Sequence, residues 1–282
     1  MKKKRSIINL IITIVCLVIL VLAIAYILKY YENASEKEAM YESLQASMAG
    51  LPLPSPAPSA APTQAPAATA TPKPEIPEDA ALLRAVDFAA LQEDTCADIY
   101  AWISIPDTRI DYPVLQHPSD DTYYLNYNLD GSKGYPGCIY TEMENSRNFS
   151  DFNTVIYGHN MKNGSMFHDL HSYEDESFLS DHPYVYIYTP DRVLRYRIFA
   201  AYPYDDRHLL YSFDYATPEG RAGYLSEIFS IRSMSAVLDD QVAVTSDDRL
   251  ITLSTCVGSQ NEKRYLVQAV LVNDILLSDI NE

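Results

Sequence analysis

The sequence predicts a mainly β domain, a barrel or a sandwich, at the end of a long N-terminal extension. Short apolar runs rich in Val, Ile and Tyr are separated by Pro, Gly, Asn and Asp between residues 110 and 272. The chain has 23 Tyr but only 8 Phe and 1 Trp. Tyrosine suits strands with one wet face, because its ring packs while its hydroxyl reaches water. With 282 residues, 48% of them hydrophobic, the chain can form one sizeable domain plus appendages.

The chain begins with a segment long enough to cross a bilayer. A basic cluster at residues 2–5 precedes an apolar run at residues 7–28 that only two polar residues interrupt. We predict a cytoplasmic tip and a single transmembrane anchor over residues 1–29, because cationic flanks stay in the cytoplasm. A cleaved signal peptide is the alternative, with residues 23–25 (AIA) as the small-residue cleavage site. Both alternatives place the rest of the chain outside the cell.

Two segments separate this anchor from the folded domain. Residues 30–50 carry a helical pattern and predict a short helical stalk. Residues 51–78 are rich in Pro, Ala and Thr and contain nine of the 17 prolines. Such a segment cannot bury enough apolar area to fold, so it predicts an extended linker. The folded domain is expected over residues 79–282.

The domain is predicted to begin with a helix at residues 80–91 and to continue mainly with strands. Seven strand-like runs are expected at residues 110–115, 154–157, 184–188, 193–202, 241–245, 250–254 and 265–272. Two helical segments interrupt them, at residues 165–171 and 219–230, and the second is the longer.

The net charge and the cysteine content of the chain exclude several classes of function and site. Lys and Arg number 21 against 38 Asp and Glu, which gives a formal net charge of −17. We expect no nucleic-acid partner, because phosphate contacts need clustered cations. The four cysteines are too few and too scattered for a disulfide framework or a zinc site, so Cys96 and Cys138 are expected to be free thiols, although the sequence leaves their pairing open. Acidic pairs such as Asp120 and Asp121 are better explained by a solvated face than by calcium, and we predict no metal and no cofactor.

One cysteine occupies a position that is typical of a catalytic nucleophile. Cys256 ends a strand pattern and precedes a glycine-containing loop, and His159 likewise follows a strand and a glycine. Residues at the ends of strands of one barrel can meet at one rim, as a Cys/His pair requires. If the last two strand patterns form an antiparallel hairpin, Arg264 returns to Cys256 and its guanidinium can stabilise an oxyanion. The alternative for Arg264 is a strand-edge charge paired with an acid such as Glu262.

The sequence also predicts where the other five histidines lie. His168 and His171 fall on a predicted helix without further ligands at zinc spacing, so they are expected to be solvated. His117, His182 and His208 stand next to prolines or charges and are expected on surface loops.

The order and local sequence of the catalytic candidates resemble the sortases. Residues 252–256 (TLSTC) are similar to the TLxTC signature of that family, with His159 upstream and Arg264 shortly after. Three further segments are similar to class B sortases: residues 153–167 (NTVIYGHNMKNGSMF), 110–116 (IDYPVLQ) and 123–126 (YYLN). The resemblance covers nearly all of residues 79–273.

The resemblance implies an eight-stranded β-barrel with catalytic residues His159, Cys256 and Arg264 at the mouth of a groove. It implies a membrane-anchored cysteine transpeptidase that cleaves a C-terminal sorting motif of secreted proteins through a thioacyl intermediate on Cys256. The acceptor would be an amine of a cell-wall peptidoglycan precursor or, alternatively, a lysine of a pilin subunit. The resemblance also implies a set of substrate-binding residues: Leu125, Asn126, Tyr157, Ser254 and Thr255. A noncatalytic surface adhesin on a Pro-rich stalk is the alternative from a different class.

Overall fold

The computed structural model describes residues 2–48, 84–258 and 260–278. The predicted linker, residues 51–78, lies outside the described residues. So do the last two residues of the predicted stalk and the first residues of the predicted domain, residues 79–83.

The N-terminal segment is one helix, α1, which spans Lys2–Met48. Its part from Asn9 onward contains a stretch long and apolar enough to cross a membrane, and it is the one such helix in the described chain. The helix continues through residues 30–48 of the predicted stalk. A signal sequence near the N-terminus also meets these criteria of length and apolar composition.

The rest of the described chain is a β-barrel with short helices. Its strands are β1 Ile99–Ser104, β2 Asp111–Leu115, β3 Ile139–Tyr140, β4 Asn153–Tyr157, β5 Tyr184–Tyr188, β6 Arg192–Asp205, β7 Val237–Leu238, β8 Leu250–Val257 and β9 Gln260–Leu276. Its helices are α2 Phe88–Asp94, α3 Tyr123–Asn126, a 3₁₀ helix at His168–Glu174, α4 Glu176–Asp181, α5 Leu209–Ser212 and α6 Pro218–Phe229.

Eight strands close the barrel. They follow the order β5-β1-β2-β3-β4-β8-β9-β6, and β6 pairs back to β5, while β7 pairs with the same edge of β6 further along that strand. The pairs β2–β3 and β4–β8 are parallel and the other pairs are antiparallel. The eight-stranded barrel expected from the resemblance is therefore confirmed. Its parallel pair β4–β8 brings the C-terminal ends of these two strands together, Tyr157 lying opposite Ser254.

The core contains tyrosine hydroxyls as well as apolar side chains. Tyr202 and Tyr224 are each 1% exposed, and Gln268 donates to their hydroxyl oxygens at 3.0 and 2.8 Å. The amide oxygen of Gln268 accepts a hydrogen bond from Thr252 at 2.8 Å. These hydroxyls find partners inside the protein, because a buried polar group without one is costly. The expectation that tyrosine marks a wet strand face is therefore incomplete.

The longest helix of the domain forms as the sequence predicts. Thr217 caps α6, accepting a hydrogen bond from the backbone of Gly220 at 3.2 Å, and Pro218 occupies its first turn, where a missing N–H costs nothing. The helix buries Leu225 and Ile228 against the barrel.

The strand prediction differs from the structure at one predicted run and at three strands, β1, β3 and β7, that the sequence did not predict. Residues 241–245 form no strand, because turns at Asp239 and Asp248 hold each end of this run, while Val242 lies in the core and Val244 packs against it. Strand β1 was not predicted from the sequence. It is buried on both faces, and such a strand shows no alternation of apolar and polar residues.

Candidate active site

A cavity of about 220 Å³ opens beside the C-terminal ends of β4 and β8. Cys256, His159 and Arg264 all line it, although His159 lies about a hundred residues before the other two in the chain. The structure therefore brings the three catalytic candidates to one cavity.

Cys256 and Arg264 lie on adjacent strands. They are direct partners in the antiparallel β8–β9 pair, and Arg264 is in turn opposite Tyr204 on β6. Directly opposite residues of an antiparallel pair project from the same face of the sheet. Arg264 also donates to the carbonyl of Lys263 at 3.1 Å. The thiol and the guanidinium thus border the same space, as the predicted hairpin requires.

A glycine turn brings His159 next to β8. A Cβ atom on Gly158 would lie 2.5 Å from the side chain of Ile139 and 2.7 Å from the ring of Phe167, so only glycine fits there. The backbone N–H of Gly158 donates to the carbonyl of Ser254 at 3.1 Å, and the Thr255 hydroxyl donates to the carbonyl of Gly158 at 2.8 Å. The turn is fastened to the strand that carries Cys256.

The backbone of α3 orients the His159 ring. Nε2 of His159 lies 2.8 Å from the carbonyl oxygen of Leu125. A carbonyl can only accept, so Nε2 carries a proton and Nδ1 is the nitrogen left to exchange a proton in the cavity. The edge of the Tyr135 ring packs against the imidazole with ring centroids 5.1 Å apart. A main-chain carbonyl therefore does the orienting work that a carboxylate does in a Ser-His-Asp triad.

The position of that carbonyl depends on another glycine. Gly137 has a φ of +68°, and a Cβ atom there would lie 2.7 Å from the carbonyl oxygen of Tyr124 and 3.1 Å from that of Leu125. Its N–H donates to the side chain of Asn128 at 2.9 Å, which fixes the approach.

The cavity also contains a buried acid that the sequence did not single out. Glu142 is 8% exposed, and its Oε2 lies 2.9 Å from Nε2 of His208 and accepts from the Tyr157 hydroxyl at 3.3 Å. Burial raises the pKa of Glu142, and the neighbouring His208 opposes that rise. His208 lies on a loop with its side chain 38% exposed, as expected, and its ring also contacts this acid. A lone Glu after a two-residue strand gives no sequence signal.

Comparison with known proteins assigns the family. A family model of the sortase domain matches residues 103–272. The chain belongs to the sortase family. Sortase B of Listeria monocytogenes is 37% identical over 177 residues, which are 62% of this chain and 70% of that protein. Sortase B of Staphylococcus aureus is 28% identical over the same shares of the two chains.

Solved structures agree with this assignment. The B. anthracis sortase B in complex with AAEK1 is 25% identical, with a TM-score of 0.66 over 86% of this chain and 99% of that chain. The Staphylococcus aureus sortase B-substrate complex is 27% identical, with a TM-score of 0.58 over 66% of this chain and 84% of that chain. The protein is a class B sortase, a transpeptidase. A noncatalytic adhesin is thereby excluded.

Most of the expected substrate-binding residues line the sortase cavity. Leu125, Tyr157, Ser254 and Thr255 do so, with Leu125 38% exposed and Ser254 buried. Asn126 is exposed at the end of α3 and does not belong to the lining, and its carbonyl accepts from the backbone of Gly134 at 2.8 Å.

The sortase holds its other thiols apart from this cavity. Neither Cys96 nor Cys138 forms a disulfide, the first lying 3.4 Å from the Tyr124 hydroxyl and the second donating to the Tyr127 carbonyl at 3.4 Å. Among the described residues, no group of three or more His, Cys, Asp or Glu side chains is arranged to hold a metal ion.

The two histidines predicted to be solvated on a helix differ from each other. His168 is exposed, as expected, although its Nδ1 lies 2.8 Å from the side-chain oxygen of Asn160. For His171 the prediction is wrong, because its side chain is 21% exposed and its Nε2 lies 3.0 Å from the carbonyl oxygen of Cys256.

Proposed function

We propose that Cys256 is the nucleophile of this sortase and that its substrate is the C-terminal sorting motif of a secreted protein. The thiolate attacks the carbonyl carbon of the motif's threonine, and a C–S bond forms as the carbonyl oxygen becomes an oxyanion beside Arg264. The C–N bond then breaks, and His159 gives the proton on Nδ1 to the leaving amine. The products are a thioacyl enzyme and the released downstream segment.

The second half of the cycle transfers the protein to an amine of a peptidoglycan precursor. The amine attacks the thioester carbon, His159 takes its proton, and Cys256 leaves as thiolate. Arg264 faces the oxyanion again.

The observation that carries this proposal is the shared cavity of Cys256, His159 and Arg264. Its second support is the hydrogen bond from His159 Nε2 to Leu125, which leaves Nδ1 for proton transfer. Arginine suits the oxyanion role because it stays charged and offers several N–H donors.

We further propose that the enzyme is held at the cell membrane by a single span within residues 1–29. The cytoplasmic N-terminus would be followed by the helical stalk of residues 30–50, the linker of residues 51–78 and an extracellular catalytic domain over residues 79–282. The apolar part of α1 and the basic residues before it support this topology. Sequencing the N-terminus of the membrane-bound protein tests it, since cleavage after Ala25 would instead indicate a signal peptide.

Mass spectrometry of the catalytic protein incubated with a library of sorting-type peptides tests the chemistry. We expect a thioacyl adduct that maps to Cys256, is absent in Cys256→Ala and persists in Cys96→Ala, whose thiol lies outside the cavity. An adduct on another residue, or turnover by Cys256→Ala, would contradict the proposal. Adding triglycine or a lysine derivative then shows which amine resolves the adduct, and preference for lysine would favour pilin assembly.

A further inference from the structure

The carbonyl of Cys256 stands where the barrel ladder is interrupted. Along β8, Ser254 directs its carbonyl to the β4 side, where it accepts from the N–H of Gly158. The carbonyl two residues further on, that of Cys256, points the same way because strand geometry repeats every two residues. By then β4 has ended at Tyr157. The next rung of the parallel ladder is therefore left without a strand partner.

Two side chains supply the missing donors. Nδ2 of Asn160 donates to the Cys256 carbonyl at 3.1 Å, and Nε2 of His171 lies 3.0 Å from the same oxygen. Because the carbonyl only accepts, His171 donates from Nε2. One carbonyl oxygen thus receives two hydrogen bonds, one for each lone pair.

The side chains of both donors are oriented by further contacts. The side-chain oxygen of Asn160 faces Nδ1 of His168 at 2.8 Å, which fixes the amide with its NH₂ group toward Cys256. Nδ1 of His171 lies 3.2 Å from Glu174, and its ring packs on Tyr265 with centroids 5.0 Å apart. Neither donor is free to swing away.

The position of Asn160 in the chain connects this arrangement to His159. Asn160 directly follows His159, so its hydrogen bond ties the backbone of the proton-transfer residue to the backbone of the nucleophile. His171 comes from the 3₁₀ helix and fixes the same carbonyl from a third element.

We propose that Asn160 and His171 are positioning residues that set the distance and orientation of the Cys256 thiol relative to His159. The inference rests on the proposed roles of Cys256 and His159. Neither residue belongs to the cavity lining, so they act through the backbone of Cys256. Loss of either donor lowers the rate of thioacyl formation, because a misplacement of about 1 Å can cost on the order of a hundredfold in rate. Peptide binding is left largely unchanged.

The test compares variants that keep or remove one donor. Asn160→Asp is isosteric but turns an acceptor toward the carbonyl. His171→Phe keeps a ring without a donor, and His171→Gln keeps an N–H at the distance of Nε2. His182→Phe is the matched control, because it removes a hydrogen bond of His182 to the Phe178 carbonyl away from the cavity.

The readouts are kcat and KM for a sorting peptide, the rate at which iodoacetamide alkylates Cys256 across pH, and the urea midpoint. We expect Asn160→Asp and His171→Phe to lower kcat about ten- to a hundredfold, with KM within about threefold and a changed pH profile of alkylation. His171→Gln should recover most of kcat. His182→Phe should keep the wild-type kcat even if it lowers the urea midpoint. The inference is overturned if both donor-removing variants keep kcat within about twofold, or if His171→Gln loses as much as His171→Phe. Failure of the wild-type protein to acylate at Cys256 would instead refute the proposed function.

Discussion

Replacing Gly137 by alanine should separate the orientation of His159 from the stability of the barrel. The new Cβ atom would lie 2.7 Å from the carbonyl oxygen of Tyr124 and 3.1 Å from that of Leu125. The Leu125 oxygen accepts the hydrogen bond from Nε2 of His159. Both oxygens are main-chain atoms, so the α3 backbone must move by several tenths of an ångström.

Two costs follow, and they can be told apart. An alanine at a φ of +68° costs roughly 1–2 kcal/mol in stability. Moving the Leu125 carbonyl turns the imidazole. Because a misplacement of about 1 Å can cost on the order of a hundredfold in rate, a shift of several tenths of an ångström should lower kcat by about tenfold. That factor corresponds to about 1.4 kcal/mol in the barrier.

Gly131→Ala is the matched control. Gly131 has a φ of +73°, yet nothing lies within 4 Å of where its Cβ atom would be. We expect both variants to lose stability in urea unfolding, Gly137→Ala the more because its Cβ atom also displaces the α3 backbone, while only Gly137→Ala loses activity in a peptide-cleavage assay. Equal kcat values for the two variants would refute the role of the Leu125 carbonyl.

Three more predictions concern the cavity and the core. Arg264→Ala should lower kcat by about two orders of magnitude without changing the circular dichroism spectrum, since one oxyanion donor is worth about 3 kcal/mol; near-normal turnover would exclude the oxyanion role. Gln268→Leu should cost about 1–3 kcal/mol in urea unfolding, because it leaves the buried Tyr202 hydroxyl without its donor; an unchanged midpoint would contradict this. Burial raises the pKa of Glu142, so its carboxyl group binds a proton more tightly in the folded state than in the unfolded state. The stability of the wild-type protein should therefore fall as pH rises from the usual glutamate range through the raised pKa. The stability of Glu142→Gln relative to wild type should therefore increase across that window, and a difference that is constant with pH would show that the acid does not titrate as described.

The sequence predicts the fold to the extent that its strands carry a periodic signal. Strand β5 at Tyr184–Tyr188 and helix α6 at Pro218–Phe229 lie close to their predicted positions, because each has a clear pattern and clear boundary residues. Strand β1 has one wholly buried run, and β3 has only two residues, so neither offers a period. The run at residues 241–245 has the pattern of a strand but no neighbouring strand to pair with.

At the candidate site, the sequence predicts side chains well and backbone roles poorly. The hairpin that places Arg264 opposite Cys256 follows from two strands and a short turn. The carbonyl of Leu125 gives no signal, because every residue has a carbonyl. The contacts of Glu142 and His171 depend on how separate elements pack, which no local pattern records.

The orienting group of His159 has a consequence for saturation mutagenesis. Because a main-chain oxygen holds the imidazole, no codon change at Leu125 can delete it. A survey of every substitution would find no acidic side chain in the orienting role that Asp has in a Ser-His-Asp triad. It would instead find intolerance at Gly137, a position with no functional group at all.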